Sequence, residues 1–148
     1  MKETQEKKEQ SFTLTFIGNS YSGKTSLINR FNGETVESKA STIAPATTRI
    51  ELNLSNEKVT DNLRFTIVDA SCQELFEVLD LYYIKLAKGI IIVYDRKTFI
   101  DINKWFDTIE LYHNLKEIPI IIVGNKSDLN TARTIKTGKG INEAFTSI

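Results

Sequence analysis

Cysteine is almost absent from this chain. Cys72 stands alone among 148 residues, so no internal disulfide can form, and a single thiol fits a reducing cytosol. Net charge is absent too: 19 basic residues balance 19 acidic ones, which gives no default attraction to nucleic acid or to an acidic membrane surface. No apolar run is long enough to span a bilayer; the longest are Ile90–Tyr94 and Ile118–Val123, and a spanning helix needs about 20 residues. The first ten residues lack the apolar stretch of a signal peptide and read as a disordered polar arm. There is no internal repeat and no low-complexity tract. What remains, 41% apolar and 26% charged, is the composition of one soluble globular domain over 11–148, large enough to bury a core.

Phe12, Leu14 and Phe16 alternate with Thr13, Thr15 and Ile17, a strand ending at Gly18. Leu27, Ile28 and Phe31 fall on one side of a helix starting near Gly23. Ile50, Leu52 and Leu54, then Leu63, Phe65 and Ile67, predict two strands of a hairpin around a turn at Ser55–Asn62. Leu75–Ala87 has helical character. Ile90–Asp95 and Ile118–Val123 read as strands buried on both faces, and Pro119 opens the second, where a missing N–H is tolerated. Ile102, Trp105, Phe106 and Ile109 sit at i, i+3, i+4 and i+7, the clearest helix in the chain. Thr137–Ser147 predicts a last helix. Strands alternating with helices argue for an α/β fold with a mostly parallel, doubly wound sheet.

Gly18-Asn19-Ser20-Tyr21-Ser22-Gly23-Lys24-Thr25 lies between the first strand and the first helix. In that setting, glycines let successive N–H groups point inward at phosphate oxygens, and the helix adds its positive end. Lys24 would reach the β- and γ-phosphates as a point charge, and Thr25 would ligate Mg²⁺. The bland alternative is a glycine-containing turn with a chance lysine.

Asn125-Lys126-Ser127-Asp128 follows the Ile118–Val123 strand, at the carboxyl end where ligands of parallel sheets collect. A carboxylate there accepts both the ring N–H and the exocyclic amine of guanine, a pair that adenine lacks. A charge-assisted bond of this kind is worth about 1.5–3 kcal/mol, hence about tenfold to a hundredfold in preference. Alone, the tetrapeptide is a polar turn; with the phosphate loop it points to GTP.

With these motifs, and with Ser26, Ser41-Thr42-Ile43, Asp69–Glu74, Tyr82-Tyr83 and Gly89–Asp95, the chain resembles the Ras superfamily of small GTPases, the Rab branch most closely, over about Phe12–Leu129. The resemblance implies a P-loop NTPase three-layer fold, mostly parallel with one antiparallel hairpin strand. It implies a GTP/GDP switch with slow Mg²⁺-dependent hydrolysis. Thr42 would reach Mg²⁺ in the GTP form, with Thr47 or Thr48 as alternatives; Asp69 would hold Mg²⁺ through water. Gln73 would orient the attacking water beside the charge of Lys24. No arginine is well placed to act in cis, and one supplied by a GTPase-activating partner is worth about 10³–10⁵ in rate. Exchange factors and effectors in vesicle traffic or signalling follow from the same likeness, with a cytoplasmic location, peripheral at membranes through partners.

The departures from the family pattern are specific. Cys72 stands where the second switch carries a glycine whose peptide rotates between states. The first switch is shortened, with Thr35 and Val36 where Rabs carry an aromatic residue, and Ala44-Pro45 after the Thr-Ile pair. Tyr21 is bulkier than the usual residue; it could cover the phosphates, although a solvated tyrosine is the simpler reading. His113 reads as a surface residue without a role. The sequence stops at Ile148, short of the family's last strand and helix and without a C-terminal cysteine to prenylate. The expectation is a C-terminally short G domain lacking a Rab-type anchor, with 118–123 as an exposed edge open to self-association. A second reading is a G domain that binds nucleotide without cycling, and a third is a piece of a longer GTPase.

Overall fold

The computed structural model describes residues 9–33, 44–55, 60–71 and 77–129. Its elements are β1 (Glu9–Ile17), α1 (Lys24–Phe31), β2 (Ala46–Ser55), β3 (Thr60–Asp69), α2 (Glu77–Leu86), β4 (Gly89–Tyr94), a 3₁₀ turn (Phe99–Asp101) running into α3 (Ile102–Glu110), and β5 (Ile120–Gly124). The strands lie in the order β2-β3-β1-β4-β5. β1 is parallel to both β3 and β4, β4 is parallel to β5, and among the described strands only β2 runs antiparallel, against β3. This is the mixed α/β sheet expected, with its hairpin.

β1 is the middle of the described strands, so both its edges are paired, with β3 and β4. Thr15 and Ile17 are fully buried. Thr15 satisfies its hydroxyl by donating to the Tyr83 carbonyl at 3.1 Å, which ties β1 to α2. Around Ile17 the core gathers Ile90 and Ile92 of β4, Ile84 of α2, Ala87, and the Ile102, Phe106 and Ile109 stripe of α3. Each such side chain contributes about 1.5–3 kcal/mol on burial.

Five expectations need correction. β1 begins at Glu9, because Glu9 and Gln10 pair with Asn62 and Leu63 through backbone groups that need no apolar side chain. The hairpin ladder likewise reaches Ser55↔Thr60, into the expected turn. Phe31, at the final turn of α1, is 66% exposed, whereas Ile28 is buried. Among the described strands β5 lies at one end of the order, and its Ile121 is 58% exposed, so it is not sandwiched as β4 is. It starts just after Pro119, whose carbonyl still accepts the Ile90 N–H at 3.0 Å. His113 lies beyond α3 and is half-buried; its Nε2 sits 2.7 Å from the Ile84 carbonyl, linking the end of α3 to α2. The Thr137–Ser147 helix falls outside the described residues.

Candidate nucleotide site

The loop from Gly18 to Gly23 leaves the sheet under tight constraint. Gly18 has φ +137, and a Cβ there would stand 2.0 Å from the Val93 carbonyl oxygen on β4. Gly23, at φ +100, precedes α1, whose N-terminus carries no side-chain cap. Its first N–H groups are therefore open to an anion. Tyr21 also takes a left-handed conformation, φ +64, at a cost of about 1–2 kcal/mol for a residue with a Cβ. The residue is 70% exposed, the solvated disposition of the simpler expectation.

Ser22 is fully buried, and its N–H donates to the Asn19 carbonyl at 3.2 Å, closing the loop. Its Oγ is buried with no hydrogen-bond partner among the described residues. Lys24 is 5% exposed, and its Nζ donates to the Gly18 and Asn19 carbonyls at 2.9 and 3.1 Å. A buried ammonium facing neutral carbonyls needs an anion to offset its desolvation. The arrangement suits a polyphosphate.

β3 runs parallel to β1 with Asp69 opposite Phe16, which sets the Asp69 carboxylate beside the start of α1. Asp69 is 4% exposed, and the Thr25 hydroxyl donates to its Oδ2. A hydroxyl and a carboxylate converging beside a phosphate loop are the hard oxygen donors that Mg²⁺ takes, so these residues fit the metal. Thr47 and Thr48 are committed to the β2 ladder, opposite Val68 and Ile67. Thr42, Cys72 and Gln73 lie outside the described residues.

The Asn125–Asp128 motif does more than follow β5. Asn125 donates its backbone N–H to the Tyr94 carbonyl at 2.8 Å and its side-chain Nδ2 to the Ser22 carbonyl at 2.9 Å. Lys126, left-handed at φ +59, directs Nζ to the Tyr21 carbonyl and to Asp95 Oδ2, the latter at 3.0 Å. The two residues thereby strap the phosphate loop from beneath. Asp128 is exposed, in a turn where the Leu129 N–H returns to the Lys126 carbonyl at 3.2 Å.

The family model for the Ras family matches residues 13–146. The chain belongs to the Ras family. Among curated relatives it is 36% identical over 135 residues to Ras-related protein RABC2a of Arabidopsis thaliana, covering 88% of this chain and 62% of that protein. It is 35% identical over 131 residues to human Ras-related protein Rab-12, covering 86% and 52%, and 30% identical over 136 residues to Ras-related protein RabZ of Dictyostelium discoideum, covering 87% and 56%. The chain is thus a Rab-like member that spans between about half and two thirds of the length of the curated relatives it matches.

This Ras-family site contains residues that sequence reasoning missed. Asp95 anchors Lys126. Partial burial works to raise its pKa, but hydrogen bonds from Lys126 and from the Thr98 side chain and backbone, with the Lys126 charge, outweigh this and hold the carboxyl below the ordinary 3.8. The available signal was its position just past β4, at the same carboxyl end of the sheet as Asn125. Trp105 and Asp101 also reach the loop. Trp105 Nε1 donates to Asn19 Oδ1 at 2.9 Å, and Asn19 Nδ2 donates to Asp101 Oδ2 at 2.6 Å. Trp105 reads in sequence as part of an apolar stripe, yet it is only half-buried and its indole N–H requires an acceptor.

Proposed function

We propose that this chain is a guanine-nucleotide-binding switch with slow, Mg²⁺-dependent GTP hydrolysis, working with regulators and effectors in vesicle traffic or signalling. The observation that carries the reading is convergence: the buried Lys24 ammonium, the Thr25–Asp69 oxygen pair and the Asn125–Lys126 strap all meet at one glycine-edged loop. Gly18, Asn19, Ser20, Tyr21, Ser22, Gly23 and Ser26 would surround the phosphates with backbone N–H groups and small polar side chains. Lys24 would offset their charge. Asp128 would accept the two guanine donors. Thr25, Thr42 and Asp69 would hold Mg²⁺, which supplies charge neutralisation when bound.

Gln73 would orient the attacking water, and a partner would supply the missing arginine. No helix among the described residues is long and apolar enough to cross a membrane. The test is titration with labelled GTP against competing ATP; equal competition by ATP removes the guanine assignment. Single-turnover hydrolysis by the wild type and Gln73→Leu tests the enzyme: a large loss of rate is expected.

A second reading is a G domain that binds nucleotide without cycling. Cys72, in the place of a glycine whose peptide must rotate, favours it. Hydrolysis unchanged by Gln73→Leu, with intact GTP binding, would support it.

A further inference from the structure

The Asn19 amide is held at both ends by groups far away in the chain. Its oxygen accepts from the Trp105 indole, 86 residues on, and its nitrogen donates to the Asp101 carboxylate, 82 residues on. An indole N–H can only donate and an ionised carboxylate can only accept, so one orientation of the amide satisfies both. The backbone carbonyl of the same residue receives the Lys24 ammonium at 3.1 Å and the Ser22 N–H at 3.2 Å. Asn19 is therefore a joint. Its side chain is fixed to the start of α3, and its backbone carries the lysine that would meet phosphate. The anchor is rigid, because Trp105 packs against the core into which α3 buries the neighbouring Ile102, Phe106 and Ile109.

We propose that Asp101 and Trp105 are positioning residues for the phosphate loop: by clamping Asn19 they set the Lys24 ammonium and thereby how long nucleotide stays bound. The proposal rests on the nucleotide reading above and adds to it a route by which α3 acts on phosphate affinity. Neither residue belongs to the phosphate loop or to the Asn125–Asp128 motif. Both act through Asn19, so they should alter retention of the phosphates and leave the choice of base alone. Trp105 is the only tryptophan of the chain, so its emission reports the clamp directly.

The test is the dissociation rate of labelled GDP from the full chain, with Trp105 emission as a second readout. Asn19→Ala and Trp105→Phe should each speed release about tenfold, the worth of one hydrogen bond to a loop element. Asn19→Ala should also shift the Trp105 emission. Asn19→Asp brings a second carboxylate against Asp101 and should speed release further. Adding Asp101→Asn to that variant restores a donor for the new carboxylate, which still accepts from Trp105, and should return release to within about threefold of wild type. A damaged fold would not be rescued in this way. The GTP-over-ATP preference should stay constant throughout. Release unchanged in Asn19→Ala and Trp105→Phe, a double variant as fast as Asn19→Asp alone, or an altered base preference would each overturn the clamp. Wild-type protein that fails to bind labelled GDP would overturn the nucleotide reading, and the clamp's role with it. Binding with unchanged release overturns the clamp alone.

Discussion

Gly23 and Asn125 are fitted against each other: a Cβ on Gly23 would stand 2.1 Å from Asn125 Nδ2. That nitrogen instead donates to the Ser22 carbonyl at 2.9 Å. The glycine that opens the first helix is thus demanded by a residue about a hundred positions later, as well as by its own φ of +100. Gly23→Ala should displace either the loop or Asn125. With backbone strain of about 1–3 kcal/mol at such a position, nucleotide affinity should fall about tenfold to a hundredfold. Calorimetric titration with GDP checks this, and unaltered affinity would mean that the loop does not need Asn125 beneath it.

Asp128 should govern the base and nothing else. It is exposed, beyond the Lys126 turn, and away from the strap that Asn125 and Lys126 place on the loop. Asp128→Ala should lower the preference for GTP over ATP by about tenfold to a hundredfold, the worth of a charge-assisted bond. Its melting temperature should remain within about 2 °C of wild type, as for surface changes generally. Competition binding with both triphosphates measures the first effect, and a thermal melt the second.

These two cases mark what the sequence carried. Apolar stripes and runs located every described strand and α-helix, but not the 3₁₀ turn at Phe99–Asp101, which has no such pattern. The phosphate loop and the Asn125–Asp128 motif were legible because their spacing is chemical. Long-range side-chain contacts were not. Nothing local to Asn19 announces Trp105, and nothing local to Lys126 announces Asp95, since both pairs form only when β1, β4 and β5 are brought side by side. Burial of β5 was overestimated for a related reason. A run of isoleucine looks alike in a middle strand and an end strand, and only the strand order separates them.

That difference can be measured. Ile92 of β4 is fully buried, whereas Ile121 of β5 is 58% exposed, though each lies in a run of isoleucines. Ile92→Ala should cost about 2–5 kcal/mol through lost burial and a residual cavity. Ile121→Ala should cost about 1 kcal/mol or less. Urea denaturation of the two variants gives both values. Equal destabilisation would mean that Ile121 is covered as completely as Ile92.

Asp95 gives a pH test with a definite sign. Its carboxyl receives Lys126 Nζ at 3.0 Å, and its Oδ1 accepts the Thr98 N–H and hydroxyl, each at 3.1 Å. These contacts outweigh the opposing effect of partial burial and hold its pKa below the ordinary 3.8. A carboxyl lowered by folding binds its proton more readily in the unfolded chain. Its stabilisation is therefore complete above the ordinary value and is lost as pH falls through the lowered one. The Lys126 side chain is 33% exposed, so solvent screening limits the pair to about 1 kcal/mol. Asp95→Asn should melt a few degrees below wild type from pH 7 down to about pH 4. The gap should close in more acid solution as the wild-type carboxylate protonates, and shrink in high salt at neutral pH. Thermal melts of both proteins across that range decide it. A gap that does not narrow at all as pH falls below the ordinary 3.8, and that high salt leaves unchanged, would assign the effect to the turn around Thr98 and not to the charge that Lys126 meets.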